Sequence, residues 1–310
     1  MIIFAFLKMS QFTPRYLRKG DTVGIVSPAR HINRKQVEPT IKWLNKFGLN
    51  VELGPNMFNI LDQMAGSDSD KIHDFQDFID DPNIQVILCS RGGYGSVRIL
   101  DQLNFQPVID QKKWILGYSD VTAIHSHIQA NYGFPTLHCT MPINITGSDD
   151  FQETASNQSL IDALFGKDLS YHLPNNSLNR YGEASGRLIG GNLSMLYSLC
   201  GSKSDISTDG CILFLEDLDE YLYHIDRMMM NLKRTGKLQA LSALVIGGMS
   251  DMNDNPIPYG KNALQIISDH TKDYDYPVYF GLDAGHTQPN LSLRLGMNAN
   301  IRDNTLFLPA

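Results

Sequence analysis

A serine, a carboxylate and an imidazole stand in three separate segments of this chain, each directly after a run of apolar residues. They are Ser119 in Trp114-Ile115-Leu116-Gly117-Tyr118-Ser119-Asp120, Glu216 in Phe214-Leu215-Glu216-Asp217, and His286 in Gly285-His286-Thr287. Together these types can run acyl transfer: the imidazole takes the hydroxyl proton, while the acid fixes the ring's tautomer and stabilises the imidazolium. A buried strand that stops at Gly117 and turns at once into a helix over 121–130 would hold Ser119 at the tip of a tight bend. Backbone N–H groups would lie close by, as a nucleophilic serine needs. Each residue also has a plainer use. Ser119 or Asp120 can cap the helix, Glu216 can open the next helix, where an acid favours the N-terminal dipole, and His286 can sit in an ordinary surface turn. The residues by themselves leave both uses open.

A second candidate is Arg91-Gly92-Gly93-Tyr94-Gly95-Ser96, which also follows an apolar run. It lacks the Lys-Ser/Thr of a P-loop and does not match the dinucleotide fingerprint. Its glycines read instead as permitting close backbone approach to a reacting carbonyl, with an N–H for the oxyanion. Arg91 and Arg98 are candidate cations for a substrate carboxylate, with structural pairing as the alternative use. His125 and His127 are two apart on a helix and cannot face one metal. Residues 251–255 imitate a calcium loop, but Pro256 stands where Gly is required and Asn262 where Glu is required. No metal site is expected.

Such residues need a scaffold that delivers several strand ends to one place. The chain opens with a buried strand over 22–27, then a helix starting near Pro39 with Val37, Ile41 and Leu44 on one face and closed at Gly48. A strand over 50–53, an acidic helix over 69–80, a strand over 84–89, a helix from Ser96 to about Leu103 and a strand over 114–117 follow. This alternation predicts a parallel sheet covered on both faces. In such sheets function collects at the loops after the strand carboxyl ends, where 91–95 and 117–120 both fall. From 146 to 183 the chain is rich in Ser, Asn, Asp and Gly, with one short helix-like stretch at 160–165. The domain crossing is placed there, giving an N-terminal domain at 12–150, a linker region at 151–184 and a C-terminal domain at 185–310. The second half begins with Arg187-Leu188-Ile189-Gly190-Gly191-Asn192 and an apolar helix through Leu199. A strand over 211–215 meets the acidic run 216–220, and a helix follows with Leu222, Ile225, Met229 and Leu232 on one face. Its Met228-Met229-Met230 run reads as core filling. Further strands are expected at 243–246 and 278–280, with two more between 291 and 308.

At 310 residues the chain exceeds one ordinary hydrophobic core, so two domains are expected. The net charge of -7, from 26 Lys+Arg against 33 Asp+Glu, comes with no basic block, and nucleic acid is not an expected partner. Cys89, Cys139, Cys200 and Cys211 are scattered, with no Cys-x-x-Cys pair, which suits a reducing compartment better than a disulfide framework. The apolar start at 1–8 lacks a basic leading segment and is too short to span a membrane, and Met9 is a second candidate start. The expectation is a soluble cytoplasmic protein with no membrane partner.

The motifs Arg91-Gly92-Gly93-Tyr94-Gly95, Gly117-Tyr118-Ser119-Asp120, Phe214-Leu215-Glu216-Asp217 and Gly285-His286 stand in the order and spacing of one family. With them go Gly247-Gly248-Met249 and Asn255-Pro256-Ile257-Pro258-Tyr259-Gly260. From about Lys19 to the C-terminus the chain resembles the LD-carboxypeptidases, the murein tetrapeptide carboxypeptidases related to the microcin C self-immunity proteins. The resemblance implies a serine peptidase with Ser119 as nucleophile, Glu216 as orienting acid and His286 as general base. It further implies an oxyanion site from the backbone N–H groups of Asp120 and Gly93, and Arg91, Gly92 and Tyr94 as substrate contacts. The implied fold is α/β: a flavodoxin-like or amidotransferase-like parallel-sheet domain, then a smaller β-rich C-terminal domain, with the site between them. A homodimer without metal or cofactor is implied as well. The implied substrate is a cell-wall tetrapeptide losing its terminal D-alanine during peptidoglycan recycling. A relative's substrate, a peptidyl or aminoacyl nucleotide, is the alternative. An α/β-hydrolase esterase shares the order Ser, acid, His, but Val121 after Asp120 lacks the second glycine of that elbow. A non-catalytic ligand-binding module on the same scaffold is the reading from another class.

Overall fold

The computed structural model describes residues 13–148 and 150–310, so the apolar start at 1–8 and Met9 lie outside the described residues. In chain order the first half runs β1 (Thr22–Val26), α1 (Arg34–Lys46), β2 (Asn50–Leu53), α2 (Asp68–Asp80), β3 (Ile84–Cys89), α3 (Gln106–Asp110), β4 (Trp114–Gly117), α4 (Thr122–Tyr132) and β5 (Thr136–His138). Helix α5 (Phe151–Leu164) and β6 (Leu169–His172) come next. The second half runs β7 (Ala184–Asn192), α6 (Leu193–Leu199), β8 (Ile212–Leu218), α7 (Leu222–Arg234), β9 (Ala243–Ser250), α8 (Ala263–Thr271) and β10 (Val278–Phe280). Three short strands close the chain: β11 (Leu293–Leu295), β12 (Asn298–Arg302) and β13 (Thr305–Leu308).

These strands form two mixed sheets. The first has the order β2-β1-β3-β4-β5-β11, parallel except for β11, which pairs antiparallel with β5. The second has the order β10-β9-β8-β7-β12-β13-β6, parallel from β10 to β7 and antiparallel beyond. The α/β class with two sheet units is therefore as the sequence predicts. Central strands such as β4 are buried along their whole length, which is why they read as unbroken apolar runs. Helix α2 lies so close to β1 that a Cβ at Gly24 would stand 2.4 Å from a ring carbon of Phe78. Among the described residues no helix is long and apolar enough to cross a membrane.

Several local expectations are corrected. Helix α1 starts at Arg34, not near Pro39, because Asn33 and Gln36 form a capping box that nucleates it earlier. Pro39 sits inside that helix, where the carbonyl that it has no N–H to serve is that of Lys35, an exposed residue. The stretch after Gly95 forms two 3-10 turns, Ser96–Arg98 and Leu100–Gln102, in place of a helix to Leu103. The 151–184 region carries a 14-residue helix and strand β6 of the second sheet. The segment after 291 supplies three strands, not two, and β11 joins the first sheet across the domain crossing. Arg294 of β11 is fully buried. It donates to the carbonyls of Ala163 and Lys167 at the end of α5 and to those of Leu308 and Pro309 near the C-terminus.

Candidate active site

The carboxyl ends of both parallel arrays open on one cleft of about 590 Å³. From the first sheet come Arg30 after β1, Arg91, Gly92 and Gly93 after β3, Tyr118, Ser119 and Asp120 after β4, and Met141 and Asn144 beyond β5. From the second come Asn192 at the end of β7, Asp217 and Leu218 on β8, Asp219 and Glu220 beyond it, and His286 after β10. Tyr94, expected as a substrate contact, is exposed and is not among the lining residues. Arg98 lies outside as well, its guanidinium held at 2.7 Å by Asp68 on the surface. His125 and His127 serve the scaffold: Nε2 of His125 bonds the Gly117 carbonyl at 2.9 Å, and Nδ1 of His127 meets the Ser204 hydroxyl at 2.9 Å. Burial pushes His125 down to about 3, so its ring is a neutral donor that pins the strand end just before the bend.

Ser119 has φ of 63°, in the left-handed region that a residue with a Cβ adopts only under constraint. Strand β4 ends at Gly117 and a 3-10 turn, Ser119–Val121, starts at the serine and runs into α4, so the hydroxyl faces the cleft at the corner. The loop after β3 closes on it. A Cβ at Gly92 would lie 2.9 Å from Ser119 Cβ, 3.0 Å from its Oγ and 3.3 Å from the Asp120 nitrogen, so only glycine admits this approach. Gly93, at φ 113°, lies under the Arg30 side chain, whose Cδ would be 2.5 Å from an added Cβ. Asp120 has a second use that its place in the motif did not announce. Its carboxylate accepts from the Ser96 backbone N–H at 2.8 Å, which ties the glycine loop to the serine corner. Burial raises the Asp120 carboxyl, and the bonds from Ser96 and Gly95 and the charge of Lys71 oppose that rise.

Glu216 was expected just beyond its strand, yet it lies within β8, at a slip in register. Leu215 faces Ile246 and Asp217 faces Met249, so Gly247 and Gly248 of β9 both stand against the one glutamate. The two glycines let the loop carrying His286 lie on the sheet, since Cβ atoms there would meet the Ala284 carbonyl at 2.4 Å and the His286 carbonyl at 3.1 Å. Glu216 Oε2 accepts both the His286 backbone N–H at 3.0 Å and Nδ1 at 2.6 Å, while the Ser250 hydroxyl donates to the His286 carbonyl. Gly285, at φ 95°, leaves room for the Glu216 side chain, whose Oε2 would be 2.5 Å from a Cβ. With Nδ1–H given to the carboxylate, the lone pair of the neutral ring is on Nε2. Ser119 and His286 line the same cleft, and among the described residues the Ser119 hydroxyl makes no hydrogen bond.

Charge fixes the protonation states. Burial alone would raise Glu216, but the charge and hydrogen bonds of His286 more than offset it and leave the carboxyl below its ordinary range. His286 is pulled down by burial and up by Glu216, with a further lift from Asp217, and ends above its ordinary value. Asp217 is itself pushed up to about 7 by burial and by Glu216, although Asn192 Nδ2 and the Ser194 and Leu218 backbone N–H groups donate to it. A base must be neutral to accept a proton, so activity falls as His286 protonates. The acid limb of kcat/KM is expected to have its midpoint above 6.5, and to move down in Asp217→Asn, which removes one of the charges favouring the imidazolium. A pH–rate series on the two proteins checks both signs.

Two arginines went unremarked or half-read in the motif. Arg30 and Arg91 both line the cleft, and among the described residues neither makes an ion pair. Arg91 donates to the His31 carbonyl at 3.1 Å, and burial together with the charge of Arg30 lowers it. A signal for Arg30 exists in its position, directly beyond the carboxyl end of β1, where ligand contacts collect.

The arrangement thus offers a cornered hydroxyl, a carboxylate-bound imidazole, an N–H-rich glycine loop and an unpaired cationic pair. Its parts match known proteins throughout. Residues 23–139 match the LD-carboxypeptidase N-terminal domain and residues 185–301 the LD-carboxypeptidase C-terminal domain. The chain is 32% identical to the probable murein peptide carboxypeptidase of Bacillus subtilis, over 96% of this chain and 95% of the relative. It is 26% identical to the murein tetrapeptide carboxypeptidase of Pseudomonas aeruginosa, over 92% and 94%. Its fold is similar to that of MccF solved in complex with glutamyl sulfamoyl guanosine, with TM-score 0.86, 22% identity and coverage of 96% and 98%. It is likewise similar to a muramoyltetrapeptide carboxypeptidase from Oxalobacter formigenes, with TM-score 0.82, 24% identity and coverage of 92% and 97%. On the two domain matches, which span most of the chain, this hydrolytic enzyme belongs to the LD-carboxypeptidase family.

Proposed function

We propose that the chain is a serine carboxypeptidase that removes the terminal residue of a murein tetrapeptide through an acyl-enzyme. Ser119 Oγ attacks the carbonyl carbon of the last peptide bond as His286 Nε2 takes its proton, and Glu216 steadies the imidazolium. The developing oxyanion is met by the backbone N–H groups of Asp120 and Gly93. His286 then gives the proton to the departing amine of D-alanine, leaving Ser119 esterified. Water, deprotonated by the same imidazole, attacks the ester and returns the free hydroxyl and the shortened peptide. The observation that carries this reading is the unpaired cationic couple of Arg30 and Arg91 beside the serine corner, a place for the free carboxylate that defines a C-terminal residue.

Incubation with L-Ala-γ-D-Glu-diaminopimelate-D-Ala tests the reading by release of free D-alanine. Arg30→Gln and Arg91→Gln are each expected to raise KM for this peptide by roughly 10- to 100-fold, the range for one hydrogen bond to a charged group. The same substitutions leave turnover of a peptide amidated at its C-terminus unchanged, and equal losses on both substrates would remove the carboxylate from the account.

A second reading takes the same machinery to a peptidyl or aminoacyl nucleotide. On the solved structures alone it is the better supported, because MccF has been solved in complex with aspartyl sulfamoyl adenosine and with adenosine monophosphate. The lining of this cleft favours the peptide. Among the described residues its lining holds one tyrosine and no phenylalanine or tryptophan: Tyr118 is 7% exposed, its hydroxyl bonds Asn144 at 3.2 Å and its ring centroid is 4.9 Å from that of His286, so that ring offers little face to a base. Turnover of an aminoacyl sulfamoyl adenosine with no release of D-alanine from the tetrapeptide would decide for the second reading. Cytoplasmic action in peptidoglycan recycling and a homodimeric state go with the first as proposals, the latter tested by the mass of the protein in solution.

A further inference from the structure

Among the described residues, three buried polar groups at or near Glu216 carry atoms that lack a hydrogen-bond partner. They are Glu216 Oε1, both ring nitrogens of His138, and Asn290 Nδ2. His138 is the last residue of β5, fully buried, paired with Gly117 of β4 on one side and Leu293 of β11 on the other. Its ring stands edge-on to Phe214, two residues before Glu216, with centroids 5.2 Å apart, and to Tyr118, next to Ser119, at 5.7 Å. Asn290 is four residues beyond His286, and its orientation is set: Oδ1 accepts from the Gly285 N–H at 2.8 Å, while its backbone N–H donates to the Ser156 hydroxyl at 2.8 Å. That leaves the Asn290 amide hydrogens for something else.

The donors and acceptors balance. Neutral imidazole has one N–H and one lone pair, the asparagine amide supplies a donor, and the second carboxylate oxygen is an acceptor. One proton assignment would pair all of them: Asn290 Nδ2–H given to one nitrogen of His138, and the N–H on the other nitrogen given to Glu216 Oε1. Burial pushes His138 down to about 4 and so keeps it neutral, against upward pulls from the Glu216 charge and from Asn290, while the charge of His286 adds to the lowering. Leaving a carboxylate oxygen and two donors unpaired in this interior would be costly.

Resting on the reading of Ser119, His286 and Glu216 given above, we propose that His138 is a positioning residue: its neutral ring links Asn290 to the second oxygen of Glu216. The link keeps the first oxygen turned to His286. Glu216 is then gripped from both domains, by β5 of the first sheet and by the His286 loop of the second. The titratable groups facing it are His286, His138, Tyr118 and the adjacent Asp217.

His138→Phe keeps the ring's bulk and apolar contacts but removes the donor. Its kcat on the tetrapeptide is expected to fall roughly 10- to 100-fold with KM unchanged. Without the second donor the carboxylate charge concentrates toward His286, so the acid limb is expected to rise by about half a pH unit or more. His138→Gln, which retains a donor, is expected to restore the limb and most of kcat. A loss of kcat in His138→Phe with the limb unmoved, or wild-type values for both, overturns the proposal. A measurement on the unaltered protein stands beside the variants in case His138→Phe does not fold. Histidine ¹⁵N spectra are expected to show His138 as one neutral tautomer from about pH 5 to 8, with a slowly exchanging N–H; a ring that titrates in that range, or whose proton exchanges freely, overturns it. Ser119→Ala on the same peptide separates the levels: turnover kept above about a hundredth of the wild-type rate defeats the reading of the site, whereas its loss beside a normal His138→Phe defeats only the proposed link.

Discussion

Ser119→Ala is expected to lower kcat by roughly four to six orders of magnitude, because a triad acts as a unit and loses almost all of its advantage with the nucleophile. What survives comes from binding and the N–H groups of the glycine loop. The fold should be indifferent. Residue 119 already holds a left-handed φ of 63° with a Cβ present, and its hydroxyl has no partner among the described residues, so alanine removes no bond and adds no strain. Turnover measured on protein of unchanged melting temperature checks both halves. Retained activity at more than about a hundredth of the wild-type rate would falsify the nucleophile assignment.

His286→Ala is expected to be nearly as severe in kcat, and Ser119→Ala/His286→Ala no worse than either alone, since the second loss finds nothing left to remove. Unlike the serine variant, it should also be unstable. It leaves Glu216 fully buried with the backbone N–H of residue 286 but without the Nδ1–H bond and without a counter-charge, and breaking a buried pair in this way costs about 3–5 kcal/mol. The sign with pH follows from the shifts. Glu216 is lowered in the folded protein, so its contribution is present above the ordinary carboxylate range and lost as pH falls through its folded value. His286 is raised, so its contribution is complete below 6.5 and lost as pH rises through its folded value. The melting-temperature gap between wild type and His286→Ala should therefore be widest between those two points and shrink on either side. Melting curves across pH 3–10 test it, and a gap independent of pH would show that the pair is held for its shape alone.

The scaffold was legible in the sequence wherever a strand is covered on both faces, since β1, β3 and β4 have to be continuous apolar runs. The serine corner was legible for the same reason: an apolar run that breaks at Gly117 before a small polar pair can only be a strand end. What stayed hidden depends on partners distant in the chain. The apolar spacing of 96–103 fits a helix, and only the bond from Ser96 N–H to Asp120 shows why the chain starts with a tighter turn. The register slip at Glu216 needs the pairing of β8 with β9, and the two glycines that allow it give no sign of their partner. Arg30 lies 61 positions before Arg91 and pairs with it only because β1 and β3 are neighbours. His138 and Asn290 carry no sign of each other in the sequence, because only the pairing of β5 with β11 brings their segments together.

The sixth strand of the first sheet arrives late. During synthesis the outer edge of β5 stands bare while roughly 150 further residues emerge, which at ribosomal speed is on the order of ten to thirty seconds. A nascent or truncated chain ending near residue 148 would present that open hydrogen-bonding edge to its neighbours and would be a substrate for chaperones or a seed for aggregates. Quality control thus comes with the topology: a ribosome that stalls before β11 releases a product that sticks, not one that half works.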